Sequence, residues 1–325
     1  MLQRFPTEPL TVLRAVLLFG MVVYFTAVKG DFLSTGNLYA LGQSFALLGL
    51  VTLGLSLTMI AAEFDLGVGA MVAVAGLIMV QIGEHNVPAG LLCALAFGAL
   101  VGLGNAVLTL MLGVSSLVTT LGVLILLRGM AVWIEGGEGA SFTHYDLTDF
   151  IDSNWLAVLS PRSVVTLACF VAVAWVLRGT RLGRDVVAAG SRRKAAVMSG
   201  ARVRPALIAV FVVSGSFAAL AGALLSISLG RASAQFGDNL LMQAMAAAIL
   251  GGVALSGGVG RPLGIATGVL VLTVLNNGLS LVGAGTPATL LLNGAVLLAA
   301  VLIEGGAGAW LRERMATPTQ ASPST

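Results

Sequence analysis

The stretch VPAGLLCALAFGALVGLGNAVLTLMLGVSSLVTTLGVLILLRGMAVWIE, residues 87–135, decides the fold class. Between 88 and 134 its only charged side chain is Arg128. A helix needs about 20 apolar residues to cross the hydrocarbon core of a bilayer. This stretch holds two such runs, 88–111 and 115–134, separated by a short glycine-containing joint at Gly113.

The rest of the chain repeats that pattern. Of its 325 residues, 58% are hydrophobic and 10% charged, and the mean hydropathy is +1.00. A soluble domain carries roughly 25% charged residues, because most of its surface must stay wettable. Lipid removes that limit, and the 42 glycines suit helices whose backbones pack closely in a membrane. Further apolar runs lie near 10–28, 38–60, 66–82, 161–178, 205–229, 240–256, 263–283 and 288–304. Those at 66–82 and 240–256 are short and interrupted by glycine. The first run has no small-x-small cleavage site before Lys29 and Asp31, so it reads as a retained helix. The expected fold is all-α and polytopic, with about ten transmembrane helices. One membrane domain covers 1–310, and 311–325, rich in Thr, Ser, Pro and Ala, is expected to be a disordered tail. Cys93 and Cys169 fall inside spans and read as small packing residues.

Charge sets the orientation. Arg178, Arg181, Arg184, Arg192, Arg193, Lys194, Arg202 and Arg204 crowd one segment against a single acid, Asp185. Basic loops stay in the cytoplasm. Residues 135–152 carry Glu135, Glu138, Asp146, Asp149 and Asp152 with no Lys or Arg. One span separates the two segments, so they face opposite sides. Both termini then fall in the cytoplasm, with Arg4 and Arg14 at one and Arg312 and Arg314 at the other; Lys29, Arg162 and Arg231 are isolated exceptions. The net charge of +3 thus reflects membrane topology, and no nucleic-acid partner is expected. A spacing recurs as well: Asn105, Gly113 and Gly122 match Asn277, Gly285 and Gly294. The two stretches would run in opposite senses, which is the pattern of an inverted repeat.

Enzymatic motifs are missing. No phosphate-binding G-x-x-x-x-G-K-[ST] loop occurs, so the chain is not itself a P-loop ATPase. His85 and His144 stand in separate external loops and make no metal-ligand cluster. What remains is polar residues at membrane depth, which are costly and often functional. Glu63 and Asp65 sit in AAEFDLGVGAM (61–71), where Asp65 reads either as a cap on a helix start or as a group that meets a solute. Arg128 at that depth is expected to face the interior and pair, with Glu135, two turns on, as one candidate, or to snorkel outward. Gln243, Asn276, Asn277 and Asn293 can bond either a polar solute or a neighbouring helix. The glycine-rich LGGVALSGGVGRPLG (250–264) breaks one helix and starts another, and such breaks tend to line cavities. Residues 183–203, GRDVVAAGSRRKAAVMSGARV, read as one or two short helices broken at Gly190 and Gly200, either a solvated loop or a docking helix.

Together these segments resemble the ribose-type permeases of bacterial ABC importers. The likeness is carried by EFDLGVGA (63–70), NAVLTLMLGVSSLVTTLGVLILLRG (105–129), TRLGRDVVAAGSRRKAAVMSGARV (180–203) and, most densely, AAAILGGVALSGGVGRPLGIATGVLVLTVLNNGLSLVG (246–283). The family usually has serine where this chain has Gly67, and often Gly-Gly-Asn where Ser191 and Arg192 follow Gly190. The first change removes a hydroxyl beside the expected pathway; the second alters the expected docking surface. The resemblance implies a non-enzymatic transport subunit in the bacterial inner membrane, importing a ribose- or xylose-like monosaccharide. Its implied partners are a second permease copy or paralogue, a cytoplasmic ATPase that binds the ATP and Mg, and a periplasmic sugar-binding protein. On this reading Asp65, Gly67, Asn105, Arg128, Gln243, Asn276 and Asn277 lie near the pathway. Gly190, Arg192, Arg193, Lys194 and Gly200 belong to the segment coupled to the ATPase. Alternatives are the same kind of permease for a nucleoside, polyol or amino acid, and an ion-coupled secondary transporter.

Overall fold

The computed structural model describes residues 8–137, 140–155 and 158–316. Most of it is helical: α1 (Glu8–Val28), α2 (Thr35–Ile60), α3 (Val68–Gly83), α4 (Val87–Met111), α5 (Ser116–Glu135), α6 (Tyr145–Ile151), α7 (Pro161–Gly179), α8 (Arg181–Ser191), α9 (Arg193–Met198), α10 (Val203–Leu229), α11 (Leu240–Leu250), α12 (Pro262–Leu281) and α13 (Thr286–Ala316). A 3₁₀ turn (Gly30–Leu33) precedes α2, and two short strands, β1 (Ala140–Ser141) and β2 (Arg231–Ala232), pair antiparallel.

Local signals explain where several helices begin. Ser34, Asn86, Ser160 and Thr180 each accept a hydrogen bond from an amide of the first turn of α2, α4, α7 and α8. Proline stands second in α4 and first in α7, where its missing N–H costs nothing.

Among the described residues, six helices (α2, α4, α5, α7, α10 and α12) are long and apolar enough to cross a bilayer. Shorter apolar helices lie at Arg14–Val28, Val68–Gly83, Leu240–Leu250 and Thr286–Leu302. The chain is therefore an all-α polytopic membrane protein. Hydropathy does not reveal position within the bundle. The most apolar window of α2 is 83% buried and that of α5 only 17%, although their hydropathies are alike. Helix α10 is the hub, packed on α2, α3 and α4. Against α4 the backbones touch: a Cβ on Gly98 would lie 2.5 Å from the Gly215 carbonyl oxygen.

Loops gather at two ends. At one, Phe142 N bonds Gly230 O, Thr143 bonds Glu84, and Thr148 Oγ1 bonds Ile227 O. At the other, Gly258 N bonds Ile60 O and Arg193 pairs with Glu63. The acidic and basic segments are thus at opposite ends. Arg14 of α1 lies against Gly252, so the first helix starts toward the basic end.

Four sequence expectations need correction. The break in 183–203 falls at Arg192, between α8 and α9, because Gly190 stays helical against the end of α2; Gly200, at φ +81°, does end α9. Helix α11 stops at Leu250, short of 256. Helix α13 continues to Ala316, past the expected start of the tail at 311, while 317–325, Arg4 and Glu138 lie outside the described residues. Cys93 is exposed and packs no core.

Candidate functional site

After α2 the chain turns through Ala62, the only described non-glycine residue with a positive φ, at 59°. Glu63, 6% exposed, reaches Arg193 on α9. Phe64 is then pinned to the start of α5: its amide donates to Ser116 Oγ (3.1 Å), and Thr120 Oγ1 donates to its carbonyl (3.2 Å). Asp65 follows, 2% exposed. Its Oδ1 accepts from Gly67 N (3.2 Å) and from Asn105 Nδ2 of α4 (3.4 Å). The bond to an amide two residues on is the short Asx turn that aspartate favours, and it leads directly into α3.

Asp65, Gly67 and Asn105 therefore do come together, with Val68, Met71, Val101, Gly102, Leu127 and Gly215 around them. The space between them is too narrow for a water molecule. Asn105 Oδ1 and Thr109 Oγ1, one turn apart on α4, are buried with no described partner. Each such atom costs about 1–3 kcal/mol. A Cβ on Gly67 would meet nothing closer than 3.4 Å, and that nearest atom is Asp65 Oδ1. A serine at this position would thus place its Cβ next to the carboxylate.

Arg128 pairs with Asp238 at 2.9 Å, and Glu135 is not its partner. Both members face outward, 58% and 38% exposed. The sequence reading missed Asp238. Its signal was Asp-Asn directly before an apolar run, a helix-start pattern. Gln243 is half-buried one turn into α11, which starts just after Asp238. The other polar candidates are elsewhere. Asn277 exchanges two amide hydrogen bonds with Asn37 (3.0 and 2.9 Å), and Asn37 also donates to Phe32 O (2.8 Å). That pair ties α12 to the start of α2. Asn276 Oδ1 and both polar atoms of Asn293 are buried without a described partner.

The acidic end carries a network that the sequence did not single out. Arg162, 7% exposed, reaches Asp152 (3.4 Å) and donates from Nε to Gln43 Oε1 (2.8 Å). Gln43 also bonds Asp152, Tyr39 and Ser160, and Ser228 Oγ donates to Asp152 Oδ2 (2.5 Å). An arginine on the wrong side by charge bias is thus explained by an acid beside it. Nearby, Thr143 holds Glu84 through its hydroxyl and its amide (2.8 Å), which draws the Glu84 carboxyl below its ordinary range.

At the basic end, Gly190 of α8 sits directly on the Ile60 carbonyl. A Cβ there would collide with that oxygen and would lie 2.6 Å from Gly258 N. Gly258 N itself donates to Ile60 O (2.8 Å). The basic segment, the glycine-rich break and the turn before Asp65 therefore form one joint. Arg192, Arg193, Lys194 and Gly200 lie on its outer surface with Val197 and Met198, which are 59% and 88% exposed.

A family model for the permease component of branched-chain amino acid transport systems matches residues 37–301. The ribose import permease protein of Escherichia coli strain K12 is 30% identical over 291 residues, covering 87% of this chain and 90% of its own. The ribose import permease protein of Bacillus subtilis is 32% identical, covering 88% and 90%. The autoinducer 2 import system permease protein of Photorhabdus luminescens is 32% identical, covering 91% and 89%. No solved structure matches the chain.

Proposed function

Because the chain belongs to the family of branched-chain amino acid transport system permease components, we propose that it is the membrane-spanning permease of an ABC importer for a monosaccharide. The carrying observation is the near-full-length similarity to import permeases named for ribose. The family description names amino acids, but it is the broader label; individual relatives matching nearly end to end speak for a sugar. The chain does no chemistry of its own in this reading. A separate cytoplasmic ATPase binds ATP and Mg, an external sugar-binding protein delivers the solute, and a second permease copy or paralogue completes the pore.

In this reading the six long apolar helices, and the segments that contain the four shorter ones, make ten crossings of the bacterial inner membrane, with both termini in the cytoplasm. The basic segment 183–203 docks the ATPase. Its exposed Val197 and Met198 offer apolar contact, and Arg192, Arg193 and Lys194 offer charge. Docking there would press on the Gly190–Ile60–Gly258 joint and so on the turn that carries Glu63 and Asp65. ATP binding to the partner would then bias inward- against outward-open states. Asp65, Gly67 and Asn105 would open onto the pathway only when α3, α4 and α10 part, since no water fits beside them here.

The test is purification of the tagged protein from its native membrane in mild detergent, with mass spectrometry of what accompanies it. A stoichiometric ATPase carrying a phosphate-binding loop is expected. Changing Arg192, Arg193 and Lys194 together to Glu should cut that ATPase at least tenfold while membrane insertion is unchanged. No ATPase, even after crosslinking, would turn attention to an ion-coupled transporter.

A further inference from the structure

Helices α3 and α11 are half-length, 16 and 11 residues, or about 24 and 16 Å at 1.5 Å per residue. Neither crosses a core of about 30 Å alone. They start at the same level and run apart, α3 toward the acidic end and α11 toward the basic end. Their shared starting point is a backbone contact between Gly69 and Gly237: a Cβ on Gly69 would lie 2.8 Å from the Gly237 carbonyl oxygen. Gly237 has φ +92°, so no ordinary side chain suits it either. Leading into each half-helix is an irregular segment, 61–67 and 233–239. Irregular backbone at membrane depth persists only where protein buries it or water reaches it.

Each segment carries one aspartate, and the two differ in what surrounds them. Asp65 is sealed in protein at 2% exposure, whereas Asp238 is 38% exposed on the outer side of the same junction. Its partner Arg128 stands about 18 Å along α5 from Ser116 and about 10 Å from Glu135. Gly67 lies level with Val123 and Leu127 of α5, which places this junction within the span. Around Arg128 the surface is apolar, with Leu121, Ile125 and Val132 exposed. A lipid-facing ion pair at this depth is costly. An arginine alone would extend toward the interface, but this one is held at the junction by Asp238.

We propose that Arg128 and Asp238 line a water-filled part of the translocation pathway and contact an uncharged polyhydroxylated solute there. The inference rests on the importer reading and assigns its mid-membrane contact. The guanidinium has N–H donors beyond those given to Asp238, and the carboxylate keeps free lone pairs. Adjacent hydroxyls of a sugar or polyol need that combination of donor and acceptor side by side. An uncharged solute fits because the pair is internally neutral and attracts neither sign of charge.

The test has two arms in the assembled transporter. In a background with Cys93 and Cys169 changed to Ala, Asn239→Cys reports the flank of the pair and Val171→Cys reports an outer face of α7, 69% exposed. A negatively charged, membrane-impermeant thiol reagent should modify Asn239→Cys at least tenfold faster. Equal, slow modification would mean lipid or a sealed contact and would overturn the proposal. The second arm measures uptake of radiolabelled D-ribose, D-xylose and L-arabinose. Asp238→Asn and Arg128→Gln should each lower uptake at least tenfold at unchanged assembly, and the exchange R128D/D238R should stay low. Recovery in the exchange variant would make the pair purely structural and would also overturn the proposal. If the parent protein carries none of these sugars, the monosaccharide reading fails, and the labelling rates still decide whether water reaches the pair.

Discussion

Two arginines among the described residues meet aspartates, and the two pairs sit in different surroundings. Arg162 is 7% exposed at the acidic end, where Asp152, Gln43, Tyr39, Ser160 and Ser228 form one polar cluster. Arg128 is 58% exposed, with Asp238 as its salt-bridge partner, on a face otherwise built from leucine, isoleucine and valine. A buried pair with satisfied neighbours holds helices in register, and breaking it leaves a charge stranded. An exposed pair at membrane depth contributes little to holding the fold, so its presence calls for another explanation. Burial of the arginine, more than the residue types, distinguishes the two pairs.

That contrast can be broken by measurement. Arg162→Ala should cost about 1–3 kcal/mol, because Asp152 loses its cation but stays 29% exposed and keeps its bonds to Gln43 and Ser228, read as a drop in thermal midpoint in detergent. A loss under about 1 kcal/mol would remove the contrast. Asp65→Asn keeps an acceptor for Gly67 N and is expected to retain folded protein while sugar uptake falls several-fold. Collapse of expression would instead make Asp65 a part of the packing. Arg128→Gln should shift stability by no more than about 1 kcal/mol, the range for exposed pairs, even though uptake falls. The smallest effect is expected at Glu84. Thr143 holds its carboxyl below the ordinary value, so the stabilisation is complete above the unfolded-state pKa and fades as pH falls through the lower folded-state value. Titrating thermal midpoint below about pH 4.5 should show a loss that Glu84→Gln abolishes.

Much of the architecture could be read from hydropathy and charge alone. Runs at 38–60, 88–111, 115–134 and 161–178 coincide with α2, α4, α5 and α7 to within a few residues, because an apolar length is a direct demand of the bilayer. The opposition of the basic and acidic segments was legible for the same reason. Position within the bundle was not, since α2 and α5 are about equally apolar while one is core and the other periphery. At the candidate site, Asp65, Gly67 and Asn105, which stand out in the sequence, are neighbours in the structure. Asp238 was overlooked because its partner Arg128 is remote in sequence, and a pairing between distant segments leaves no periodic trace. Helix propensity predicts a break at Gly190. Helix α8 runs through it, and it is glycine because the Ile60 carbonyl and Gly258 occupy the place where a side chain would be.

The joint at Ile60 has a mechanical meaning. Gly190 and Gly258 bring backbone directly against backbone, with a hydrogen bond across one contact and no rotatable side chain between them. Side chains act as springs that absorb small displacements by changing rotamer, and here that slack has been removed. In the importer reading, a tilt of α8 would therefore be passed to the turn that carries Glu63 and Asp65, as a stiff linkage passes on a stroke.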